Sequence, residues 1–141
     1  MTRLMPASTQ EGPVPAGSGQ LILVVDDDRS IRTVTHATLT DHGYQVLTSV
    51  DGLEALEIFR QEAHRVKLVV TDLMMPTMDG ATLIERIREI QPAMRFVAVS
   101  GMLEPSTPSR AGVHLLQKPF AAEALLRVVH DALVPPTVND H

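Results

Sequence analysis

"LILVVDDDRSIR", residues 21–32, decides the reading of the fold. Five apolar residues, Leu21 to Val25, run without interruption into three aspartates, Asp26, Asp27 and Asp28. A continuous apolar run, rather than an alternating one, suits a strand whose sheet is covered on both faces. The aspartates fall where such a strand would emerge. Adjacent carboxylates repel one another, and burial opposes their ionisation unless a cation compensates. The stretch therefore predicts a buried strand whose carboxyl end faces something positive.

Working outward, the same kind of segment recurs at Tyr44–Leu47, Lys67–Thr71, Arg95–Val99 and His114–Leu116. Between these runs the apolar residues take helical spacing. Ile31, Val34, Thr38 and Leu39 suit a first helix, and Leu53, Leu56 and Phe59 a second with Asp51 as its N-cap. Leu83, Ile84, Ile87 and Ile90 suit a third, capped by Asp79 and stopped by Pro92, and Leu125, Val128, Val129 and Ala132 a last one. Strand and helix in alternation predict an α/β fold with a parallel sheet between helical layers. Five strands at this length indicate flavodoxin-like doubly wound topology, order 2-1-3-4-5. One crossover is short. Only 11 residues separate Gly101 from Val113, with Pro105 and Pro108 among them. A parallel crossover needs roughly 10–12 residues, and proline opposes a continuous helix. The fourth helix is therefore expected to be shortened or replaced by a loop over 101–112.

The 141 residues suit one domain. Residues 1–19, rich in proline and glycine, read as a flexible tail or linker, 20–134 as the folded domain and 135–141 as a C-terminal tail. Without cysteine, disulfides and thiolate metal sites are excluded. A net charge of −5 with no run of Lys or Arg argues against nucleic-acid binding. No apolar run approaches the roughly 18 residues of a membrane span, and no signal peptide is visible. No membrane contact is expected, and a cytoplasmic protein is the default.

In an open parallel sheet the carboxyl ends of all strands share one edge, where ligands bind. That edge should gather Asp26, Asp27 and Asp28 from the first strand, Asp72 from the third, Ser100 from the fourth and Lys118, followed by Pro119, from the fifth. An oxygen-only set of carboxylates suits Mg²⁺. A carboxylate can attack phosphorus to give an acyl phosphate, and phosphoryl transfer depends mainly on positioning and charge neutralisation. Lys118 and Ser100 offer an ammonium and a hydroxyl for phosphoryl oxygens.

"VVDDDRSIR", "VVTDLMMPTMDG", "VAVSG" and "LQKPF" together resemble the receiver domain of two-component response regulators, over residues 20 to about 133. The resemblance implies phosphorylation at Asp72. It implies Mg²⁺ held by Asp27, Asp72 and the backbone carbonyl of Met74, with Asp26 acting through water. Ser100 and Lys118 would be the phosphoryl-binding and switch residues, and the Lys118–Pro119 bond is similar to the family's cis peptide. The implied function is phosphoacceptor in a phosphorelay rather than an enzyme with a separate substrate. The donor would be a histidine kinase or histidine phosphotransfer protein, and the output a downstream protein or a parent hybrid kinase. Leu115 takes the position of the family's switch aromatic, so that coupling cannot operate in its ordinary form. The short crossover is similar to that of receivers attached to hybrid histidine kinases.

Three other functions fit less well. An aspartyl-phosphate phosphatase needs a second aspartate two residues after its nucleophile, where Met74 stands. A flavodoxin-like cofactor binder needs a hydroxyl- and glycine-rich phosphate loop where Asp26–Asp28 would repel the phosphate. A pseudo-receiver would not need every acidic and basic position. Asp28 is expected to cap the helix that follows it. Met74, Met75 and Met78 are expected to pack, and the six histidines lack metal-ligand spacing.

Overall fold

The computed structural model describes residues 14–101 and 111–134. The expected crossover over 101–112 and C-terminal tail thus lie largely outside the described residues. Five strands alternate with four helices among those described: β1 (Leu21–Val25), α1 (Arg29–Asp41), β2 (Gln45–Ser49), α2 (Gly52–Glu62), β3 (Val66–Asp72), α3 (Gly80–Ile90), β4 (Phe96–Ser100), β5 (Val113–Gln117) and α4 (Ala122–Leu133). All pairings are parallel, and the strand order is 2-1-3-4-5.

Successive side chains of β1 point to opposite faces. Leu21, Leu23 and Val25 pack with Phe59 of α2 and with Leu83 and Ile87 of α3. Ile22 and Val24 pack with Leu39 of α1 and with Leu125 and Val129 of α4. This two-sided burial is why β1 and β4 are apolar throughout, with every residue buried.

Capping sets where three helices begin. Asp28, Asp51 and Asp79 each accept from a backbone N–H three residues on, at 3.1, 2.8 and 2.8 Å. Each bond satisfies a donor that the first helical turn leaves unpaired. α3 ends at Ile90, two residues before Pro92.

Two helix faces are rotated from expectation. Val34 was expected to face inward, yet it is 59% exposed, and Thr35 takes the buried position. Leu53 is likewise 52% exposed, while Ala55 fills the core. The inward stripe of α1 runs through Thr35 and Leu39, four residues apart, and hydropathy alone does not rank Thr above Val. Ile90 also turns outward at 41% exposure.

The fold also begins before residue 20. Val14 packs against the α1/α4 layer, and the Gly17 and Gly19 N–H groups donate to His42 and Gly43 carbonyls at 2.6 and 2.7 Å. Gly43 adopts φ +95°, and a Cβ there would sit 2.6 Å from the Gly17 carbonyl oxygen. Residues 14–19 are therefore seated on the α1–β2 turn rather than extended as a tail.

Arg88 of α3 secures the strand that follows the short crossover. Its Nη2 donates to the carbonyls of Met94 at 3.2 Å and Ala111 at 2.7 Å, and its guanidinium lies 5.2 Å from the Phe96 ring centroid.

Thr77, in the loop between β3 and α3, adopts φ 73°. That left-handed conformation costs an L-residue roughly 1–2 kcal/mol, and β-branching makes it less favourable still. Thr77→Gly is expected to raise the unfolding free energy by about 1 kcal/mol, after the greater unfolded-chain entropy of glycine is allowed for. Urea denaturation measures this, and a lowered midpoint would show that the loop relieves the strain by another route.

Candidate functional site

Sheet register brings the polar residues together. Val25 pairs with Thr71, so Asp26 and Asp72 leave the sheet side by side. Asp72 pairs with Val99, which places Ser100 one step beyond it on β4. Ser100 pairs with Gln117, and its carbonyl accepts from the Lys118 N–H at 2.8 Å. Four strands thus deliver an acidic, hydroxyl or ammonium group to one edge.

The centre of the site is one ammonium between two buried carboxylates. Lys118 Nζ lies 3.1 Å from Asp26 Oδ2 and 3.0 Å from Asp72 Oδ2. The second oxygen of each carboxylate is held by backbone. Asp28 N–H donates to Asp26 Oδ1 at 2.8 Å, and Met74 N–H donates to Asp72 Oδ1 at 3.0 Å. Asp26 and Asp72 are 4% and 5% exposed.

Charge does not balance here. Burial pushes the Asp26 carboxyl above its ordinary range, outweighing the lowering by the Asp28 N–H and Lys118. Burial opposes the charge on Lys118 too, but hydrogen bonds to Asp72 and Asp26 outweigh it and hold the ammonium above its usual range. Asp27 is exposed and adds a third carboxylate, and oxygens of Asp26, Asp27 and Asp72 lie within 4.8 Å of one another. Three carboxylates against one ammonium leave two negative charges uncompensated. An oxygen-only set with that deficit fits Mg²⁺, a hard cation that retains several waters.

Asp28 stands apart from this group, because its side chain caps α1 at Ile31. The Met74 side chain is 73% exposed at the rim. Ser100 is buried at its strand end. Leu115 on β5 pairs with Ala98 of β4 and is exposed. The Lys118–Pro119 peptide is cis.

Gly80 lies directly under the site. A Cβ there would overlap the carbonyl oxygen of Asp72, so only glycine lets α3 begin this close to the end of β3.

Three residues of the site were not singled out from the sequence. Thr35 and Phe120 line a void of about 10 Å³ beside Asp26 and Asp72. Arg32 Nη1 donates to the Asp26 carbonyl at 2.8 Å. A first-turn arginine reaching back over a strand end has the same sequence signature as a solvated one.

Residues 22–130 match the response regulator receiver domain family. The sensor kinase CckA of Brucella abortus (strain 2308) is 36% identical over 122 residues, 84% of this chain and 13% of that protein. The transcriptional regulatory protein GlrR of Escherichia coli (strain K12) is 34% identical over 116 residues, 79% of this chain and 26% of that protein. Among solved structures, the receiver domain from the hybrid histidine kinase CckA superposes with TM-score 0.72 at 32% identity, covering 81% of this chain and 99% of that one. Vibrio cholerae CheY4 superposes with TM-score 0.77 at 29% identity, covering 82% and 100%. The chain belongs to the response regulator receiver domain family and is a receiver domain of two-component signal transduction. It spans about 13–26% of the first two curated relatives it matches.

The raised Asp26 carboxyl means that its charge destabilises the metal-free fold. Asp26→Asn keeps an oxygen for the Asp28 N–H and removes that charge. It is expected to raise metal-free unfolding stability at neutral pH. Chemical denaturation in a chelating buffer tests this, and a loss of stability would mean that the Lys118 bridge outweighs desolvation at Asp26.

Proposed function

We propose that Asp72 accepts a phosphoryl group from the phosphohistidine of a histidine kinase or histidine phosphotransfer protein. The observation that carries this reading is the Lys118 bridge, which with the Met74 N–H holds the buried Asp72 side chain in one orientation at the strand end. An Asp72 oxygen forms the new bond to phosphorus as the P–N bond to the imidazole breaks. The imidazole leaves with that electron pair and is protonated. Asp26 and Asp27, with Asp72 and the Met74 carbonyl, would hold Mg²⁺, which supplies charge neutralisation for the phosphoryl oxygens when bound. Lys118 pairs with one phosphoryl oxygen, and the Ser100 hydroxyl donates to another. The protein is its own phosphoacceptor and turns over no separate substrate. A phosphatase reading has less support, since Met74 supplies no acid or base two residues after Asp72.

The donor's approach follows from the surface beside the site. Ile31, Val34, Pro119 and Phe120 line a mainly apolar groove of about 280 Å³, and Lys118 is part of the same lining. Ile31, Thr35 and Phe120 also line the void next to Asp72, so these side chains lie between the groove and the site. An apolar helix face of the donor, seated on Val34, would bring its phosphohistidine over Asp72. A donor charged from ATP would carry out this reaction in the cytoplasm. Phosphorylation would shift a two-state surface at Ser100 and β5. That surface would be read by a downstream protein or by the rest of a hybrid kinase.

Incubation with Mg²⁺ and a small acyl-phosphate donor is expected to add one phosphoryl mass to the wild type and none to Asp72→Asn. Intact mass spectrometry decides it, and an adduct that survives the substitution overturns the assignment. Val34→Asp is expected to slow transfer from a phosphohistidine protein by about tenfold or more while leaving labelling by the small donor intact. Equal slowing with both donors would place the defect in the chemistry rather than in docking.

A further inference from the structure

A second polar concavity lies on the other side of α1. Arg29, Arg32, Thr33 and His36 follow helical spacing on one face of that helix. With Thr48 of β2 they line an open groove of about 230 Å³. No carboxylate lines it, in a chain whose net charge is −5. Among the described residues, no salt bridge joins Arg29, Arg32 or His36 to an acidic side chain. Two arginines, one histidine and two threonines thus line the same space.

Arg32 is already positioned. One of its five N–H donors is spent on the Asp26 carbonyl, which fixes the guanidinium and leaves the others for a ligand. A planar guanidinium matches phosphate oxygens in bidentate fashion, and the threonine hydroxyls can donate to the same group. No phenyl, phenol or indole ring lines the groove to stack a base. Recognition would therefore rest on the phosphate itself.

We propose that this groove is a second anion site, separate from Asp72, that takes the phosphate or diphosphate group of a small molecule. The Arg32 bond to the Asp26 carbonyl places it one residue's backbone away from the acidic cluster. Arg32 thereby serves both the groove and the edge of the sheet, whereas Arg29 and His36 serve the groove alone.

The test uses the full chain without Mg²⁺, titrated with inorganic pyrophosphate and followed through backbone amide resonances. Shifts are expected at residues 29–36 and at Thr48. Arg29→Ala and Arg32→Ala should each weaken binding by about tenfold, and His36→Ala by less. Asp72→Asn and Lys118→Ala should leave it unchanged, which separates this site from the phosphoacceptor and keeps the result independent of the proposed function. Arg29 is exposed, so its replacement does not endanger the fold. Adenosine diphosphate in a parallel titration distinguishes a nucleotide from a free anion as the source: tighter binding indicates the nucleotide, equal binding the anion. Shifts confined to the surroundings of Asp26, Asp72 and Lys118, or equal affinity in wild type and Arg29→Ala, would overturn the proposal.

Discussion

The structure turns on one ammonium shared by two buried carboxylates. Asp26 and Asp72 sit at adjacent strand ends with almost no exposure, and Lys118 reaches both from a third strand. Removing either carboxylate from water without a partner would be costly, and one cation cannot fully compensate two. The arrangement persists because each carboxylate also takes a backbone N–H, from Asp28 and from Met74. Those N–H groups lie two residues beyond their acceptors, so the local chain must turn tightly after each strand. The tight turns and the ammonium are therefore parts of one constraint. The exposed Asp27 then leaves the cluster short of positive charge, the condition that suits a divalent cation and, after it, a phosphoryl group.

Holding three charges at hydrogen-bonding distance needs a rigid support. The sheet provides it because β1 and β3 are buried on both faces over the residues that lead to the site. The helices are anchored at their N-termini on the same side. Asp28, Asp51 and Asp79 cap α1, α2 and α3, and Gly80 lets α3 begin against the Asp72 carbonyl. The loops bearing Asp27 and Met74 are therefore bounded at both ends by fixed elements. Thr77, held in a left-handed conformation, marks how tightly the second of these loops is drawn.

Much of this was legible in the sequence, for identifiable reasons. Two-sided burial makes a parallel strand a continuous apolar run, so β1, β3 and β4 stood out, and polar residues placed immediately after such runs marked the site edge. The three aspartate caps announce themselves by position. What was not legible depends on direction rather than residue type. Val34 and Thr35 are neighbours of similar shape, and the helix turns Thr35 inward toward Asp26 and Asp72 while Val34 faces the groove. Leu53 and Ala55 are exchanged in the same way. Nothing in the sequence sets Arg88 and Arg32 apart from surface charges, yet each spends donors on backbone carbonyls outside its own helix. The start of the fold at Val14 was hidden because proline and glycine content signals a linker, whereas the contacts of Gly17 and Gly19 come from their backbones.

The route from Asp72 to the rest of the surface follows from the same register. A switch that couples a hydroxyl to a buried ring needs an aromatic side chain on β5, and Leu115 supplies neither a ring nor a buried position. What does connect the strands is backbone. The Ser100 carbonyl accepts from the Lys118 N–H, and Ser100 pairs with Gln117. A movement of Ser100 toward a phosphoryl group would therefore pull on β5 and on the lysine that had bridged Asp26 and Asp72. That lysine also borders the apolar groove of Ile31, Val34 and Phe120. The groove and the proposed switch would thus meet at Lys118, so that a phosphodonor seated in the groove and a phosphoryl group on Asp72 would act on the same side chain.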